Sequence, residues 1–115
     1  MFNFERLAVW QKAVDLTDTV YAELKSFPGD ERFGLTSQLR RAVGSVSANI
    51  AEGGARSSAD FATFLGYAAG SLYEVVTHCA IARRRCYLTD ESHRKIYVRA
   101  EEIARMLSGL RKSLK

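Results

Sequence analysis

Proline is nearly absent from this chain. Pro28 is the only one in 115 residues, and there are 8 glycines. Proline punctuates chains, so its scarcity argues against a fold of many short strands and favours long helices. Cysteine is scarce too. Cys79 and Cys86 stand seven positions apart, about 10 Å along a helix, too far to bridge within that helix. Free thiols at such spacing suit a reducing compartment. His78 and His93 are isolated, which argues against a histidine metal site. No stretch approaches the roughly 20 apolar residues of a membrane span. The opening "MFNFERLAVWQK" carries acid and base where a signal peptide would be apolar. The reading is a cytoplasmic protein with no membrane association.

What is present is patterned. Hydrophobic residues make up 47% and charged residues 26%, as in an ordinary globular protein. The length fits one domain over residues 1–115, able to bury about two-thirds of its unfolded surface. Four segments read as helices. The first runs from about Phe4 to Ser26, with Leu7, Trp10, Val14, Thr17, Tyr21 and Leu24 on one face; Pro28 pushes Phe27 out of the helical region and stops it. The second runs from Thr36, a candidate N-cap, to about Glu52, with Leu35, Leu39, Ala42, Val43, Val46 and Ile50 as its apolar face. Gly53 and Gly54 form a candidate cap or bend. The third runs from about Ser58 to Cys86, opened by a capping-box-like Ser57 and Asp60. Its stripe is Phe61, Leu65, Ala68, Leu72, Val75, Cys79, Ala82 and Cys86. The fourth runs from about Asp90 to Leu114 behind Thr89 as N-cap, with Ile96, Ala100, Ile103, Leu107, Leu110 and Leu114 inward. Four such helices with short connections predict an all-α, up-down-up-down four-helix bundle.

The second helix has more than an apolar face. Gln38, Arg41, Ser45 and Asn49 fall within an arc of roughly 80° beside it, and Glu52 joins them. Arg56 would continue the row, but Gly53 and Gly54 are expected to place it in the turn. A third face, Gly44, Ala48, Ala51 and Ala55, is small. The third helix has a similar back face, with Ala62, Gly66, Ala69 and Gly70 near Tyr67, Tyr73 and Glu74. Small faces let another backbone approach closely, which points to a homo-oligomer.

Three readings of the polar row compete. In the structural one, Gln38, Arg41, Asn49, Glu52 and Glu74 satisfy one another in a partly buried network; this is the plainer reading. In the binding one, Arg40, Arg41 and Arg56 contact phosphate or an acidic partner. In the third, Glu52 or Glu74 is a general base, yet neither has a histidine or a nucleophile motif beside it in sequence. No phosphate loop or dinucleotide fingerprint is present. Trp10, on the core stripe, reads as packing. The run Arg83, Arg84, Arg85 reads first as a solvated helix end favoured by the helix dipole, and second as a nucleic-acid contact. The net charge of +4 permits such a contact without requiring it. No catalytic residue, metal or cofactor is assigned.

Three stretches carry a family likeness: "LAVWQKAVDL", "FPGDERFGLTSQLRRAVGSVSANIAEGGARSS" and "FLGYAAGSLYE". In this order, over nearly the full length, the chain resembles the four-helix bundle proteins encoded in intervening sequences of 23S ribosomal RNA. The resemblance implies a ring-like homopentamer and no known enzymatic activity. Accessory proteins of diversity-generating retroelements are similar in fold, and they bind a reverse transcriptase and nucleic acid through a basic surface. The signature positions here are Trp10, Gln38, Arg41, Asn49, Glu52, Gly53, Arg56 and Glu74. Ser47 stands where the family often has proline, and Gly54 and Ala55 stand where it often has a larger residue. The function expected is binding of RNA or another nucleic acid by a non-enzymatic oligomer, through Arg40, Arg41, Arg56 and Arg83 to Arg85. The alternative is a protein-interaction scaffold.

Overall fold

The computed structural model describes residues 1–114. A short 3-10 turn at Asn3–Arg6 leads into α1 (Ala8–Leu24), α2 (Leu35–Gly54), α3 (Ser58–Arg84) and α4 (Asp90–Ser113). Each helix packs on the two beside it, α1 and α3 both against α2 and α4, and the diagonal pairs stay apart. The result is the expected up-down-up-down bundle, 42 × 23 × 22 Å. No helix among the described residues is long and apolar enough to cross a membrane.

The core is hydrocarbon apart from the thiol of Cys79. Leu16, Leu39, Ile50, Leu65, Leu72, Ile96, Ile103 and Leu107 are its largest fully buried side chains, and no polar or charged residue is buried among the described residues. The stripes expected for α2 and α4 are the observed ones, except that Leu110 and Leu114 are half-buried. In α1 the stripe is different. Val9, Ala13, Leu16, Val20 and Leu24 face inward, about 90° around the helix from the predicted face. Leu7 and Trp10 pack at its rim, and Tyr21 is exposed with the Arg40 guanidinium 5.2 Å from its ring centre. Trp10 is braced by the N-terminal turn, where the ring of Phe4 meets it edge-on at 5.3 Å.

The ends of the helices follow local chemistry. α2 starts one residue before the predicted Thr36 cap, with Gly34 as its N-cap. The carboxylate of Glu31 accepts from the Leu35 N–H at 3.2 Å. A Cβ on Gly34 would lie 2.7 Å from that oxygen. At the starts of α3 and α4, Ser57 accepts from Asp60 N and Thr89 from Ser92 N, as the sequence predicts.

α3 stops short of Cys86, which leaves the core stripe and lies exposed in the left-handed region at φ 65°. Tyr87 N donates to Ala82 O at 2.8 Å and Cys86 N to Arg83 O at 3.0 Å. These two bonds form a Schellman ending, whose left-handed position glycine fills best. Replacing Cys86 with glycine is expected to raise stability by about 1 kcal/mol, visible as a higher denaturation midpoint. An unchanged midpoint would mean that the strain is relaxed in solution.

The α1–α2 and α3–α4 connections meet at one end of the bundle. Phe27 and Tyr87 pack with ring centres 5.5 Å apart, and the Tyr87 hydroxyl donates to Glu31 Oε2 at 3.1 Å.

Candidate functional site

The polar row of α2 lies at the surface. Gln38, Arg41, Glu52 and Glu74 are exposed, and Ser45 and Asn49 are half-buried. The buried network expected of these residues does not form within the subunit. Ser45 Oγ donates to Arg41 O and Asn49 Nδ2 to Ser45 O, both along the helix. Glu52 pairs with Arg56 at 3.4 Å, and this is the row's one side-chain pair among the described residues. Gln38, Arg41, Ser45, Ser71 and Glu74 instead line an open polar depression of about 380 Å³ between α2 and α3. Residues that bond only to their own helix add little to stability. Arg41→Ala is therefore expected to shift the unfolding free energy of the subunit by no more than about 0.5 kcal/mol. A loss above 2 kcal/mol in chemical denaturation would restore the structural reading.

The small faces differ from one another. Gly53 is buried where α2 crosses α3, and a Cβ there would stand 2.5 Å from Phe64 Cβ and 3.1 Å from Phe61 Cδ1. The glycine is what lets the two helices approach. Gly66 carries the Arg111 guanidinium of α4 at 3.4 Å from such a Cβ position. Gly44 and Gly70 have nothing within 4 Å.

The six predicted arginines are not brought to one place. Arg56 lies at the α2–α3 turn, 4.9 Å from the Phe64 ring centre. Arg83, Arg84 and Arg85 sit at the far end of α3, a helix about 40 Å long. Arg83 is tied to Asp90 at 2.9 Å. The neighbouring Tyr87, then the carboxylates of Glu31 and Asp30, hold Arg85 protonated more firmly than usual. Arg40 and Arg41 point about 100° apart on α2.

A second feature lay outside the sequence reading. Three adjoining depressions run along the α3–α4 seam, of about 330, 210 and 590 Å³. Tyr73 lines the first two, and Tyr97 and Glu101 the second two. Tyr73 is 61% and Tyr97 44% exposed. Arg111 and Lys112 flank one end and Arg94 the other. The signal was available, since Tyr97, Glu101 and Arg94 lie within one α4 face, but only tertiary pairing shows that this face meets Tyr73. The α1–α4 groove holds a depression too, of about 550 Å³, but its lining is largely charged (Lys12, Asp15, Asp18, Arg99 and Glu102) and carries no aromatic ring. Lys12 and Glu102 pair at 2.6 Å, and this hydrogen bond holds the carboxyl of Glu102 below the usual range.

Chemistry of other kinds has little to work with. Among the described residues no three His, Cys, Asp or Glu side chains are placed to hold a metal ion. Burial pushes the Cys79 thiol up to about 12, so it is a poor nucleophile near neutral pH. His78 is half-buried beside the core, with its Nδ1 buried and without a hydrogen-bond partner.

The fold and this surface define an all-α bundle that displays polar, basic and aromatic faces around an apolar core. The chain belongs to the family of 23S rRNA-intervening sequence proteins, whose family model matches residues 5–109. Among solved structures it is similar to a protein of unknown function from the S23 ribosomal protein family of Bacteroides thetaiotaomicron. The two are 25% identical with a TM-score of 0.84, over 91% of this chain and 99% of that one. No curated protein matches the chain.

Proposed function

We propose that this protein is an RNA-associated binding protein of the cytoplasm, active as a homo-oligomer and without catalytic chemistry of its own. The observation that carries the reading is the state of its cations. Among the described residues only Lys12, Arg56 and Arg83 are in ion pairs. The exposed arginines and lysines are otherwise available to phosphate, on a chain of net charge +4.

Self-association rests on Gly44 and Gly70. Glycine inside a helix costs about 1 kcal/mol relative to alanine, and nothing within the subunit packs close to either. A neighbouring subunit brought close over these positions would offset that cost. A ring-like pentamer is the assembly that the family resemblance implies. The same open faces favour the second reading, a scaffold that binds protein and ignores nucleic acid.

Light scattering after size exclusion, with and without a structured RNA, separates the two. A discrete oligomer that carries RNA at low salt and releases it as salt rises is expected, because phosphate contacts release counterions. An oligomer that ignores RNA at low salt would leave the scaffold. A clean monomer would overturn the account of Gly44 and Gly70.

A further inference from the structure

We infer that the α3–α4 seam is a binding groove for single-stranded nucleic acid, with Tyr73 and Tyr97 as stacking platforms and Arg94, Arg111 and Lys112 as phosphate contacts. The inference rests on the RNA-binding reading and adds the site and the strandedness.

The argument starts from exposure. Two tyrosine rings stand at the middle of one seam, both exposed, Tyr97 with the His93 ring 6.1 Å from its own and tilted to it. Bare aromatic faces beside cations are what unpaired bases stack upon, and stacking tolerates many sequences. Duplex bases are stacked inside their own helix and cannot reach such rings. Charge is arranged to match. Arg94 lies one helical turn from Tyr97, and Arg111 and Lys112 close the other end of the seam. From Arg94 to Arg111 is about 25 Å along α4, enough for a few nucleotides of extended strand. Asp90 is already neutralised by Arg83.

Glu101 is the exception, an unpaired carboxylate beside Tyr97 in the centre of the groove. It would repel a phosphate there. A base stacked on Tyr97 instead presents its polar edge, and a carboxylate accepts from the cytosine amino group. The bases therefore face the groove floor at this point and the phosphates face the flanking cations.

Fluorescence anisotropy with labelled oligocytidine and oligouridine tests this on the full-length protein. The variants are Tyr73→Ala, Tyr97→Ala, Tyr97→Phe and Glu101→Ala. Both tyrosines are exposed enough for their variants to fold, which circular dichroism checks. Each Tyr→Ala change is expected to weaken binding roughly five- to hundred-fold, with Tyr97→Phe close to the parent. Oligocytidine is expected to bind more tightly than oligouridine, and Glu101→Ala to remove that preference. If the tyrosine variants bind RNA like the parent, the groove falls while the RNA reading stands on the arginines elsewhere. If Glu101→Ala tightens binding, phosphate passes that point and the arrangement is wrong. If the tyrosine variants dissolve the oligomer instead, the seam seats a second copy of the chain. A parent protein that binds no RNA overturns this inference and the proposed function together.

Discussion

Gly53→Ala is expected to destabilise the bundle by about 2 kcal/mol or more. Alanine gains about 1 kcal/mol of helix propensity over glycine, so the sign is not obvious from α2 alone. The crossing decides it. The new methyl would stand 2.5 Å from Phe64 Cβ, where carbon atoms settle at roughly 3.5–4.0 Å. A Cβ cannot rotate away, because it is fixed to the α3 backbone. The helices must separate by about 1 Å, and overpacking of this kind costs about 1–3 kcal/mol or more. Gly70→Ala has the same propensity gain and no obstacle. It is expected to stabilise the isolated subunit by up to about 1 kcal/mol. Urea denaturation with an unchanged slope reads both. Equal and positive effects at the two sites would show that the α2–α3 crossing is looser than described.

Leu16→Ala is expected to cost about 3 kcal/mol, and Tyr21→Ala less than about 1 kcal/mol. Leu16 is fully buried at the centre of α1, so its truncation leaves a cavity in a close-packed interior. Tyr21 is exposed and touches the core little; its partner is the guanidinium of Arg40. The pair of variants tests which face of α1 is the core. The reverse order would restore the face that large residues alone indicated.

The α1 case also shows what the sequence could and could not say. The four helices, their order and the N-caps of α3 and α4 were legible, because apolar spacing and capping residues act locally; Gly53 and Gly54, read as a cap or bend, lie inside α2, whose C-cap is Ala55. The α1 stripe was misplaced because Trp10 and Tyr21 outweighed Ala13 by size. At the centre of a bundle a small residue is often what fits, and fit depends on partners not yet placed. Thr36 was read as a cap for a similar reason. It is a good capping residue, but Glu31 reaches the Leu35 N–H from outside the helix. The polar row was located correctly, but the network expected of it does not form within the subunit. Periodicity shows that Gln38, Arg41 and Asn49 share a side of α2; it does not show that α3 leaves that side open. The α3–α4 groove was missed because it belongs to two helices at once.

An interior without a buried hydrogen-bonded pair has a consequence for descent. Such a core makes no directional demand; it asks for volume and shape, which many apolar sequences satisfy. The same bundle is accordingly found at 25% identity with a TM-score of 0.84. Sequence can drift inside such a scaffold without the scaffold moving. The residues on its outside that contribute little to folding, Arg41 and Gln38 among them, are then answerable only to what the folded surface meets.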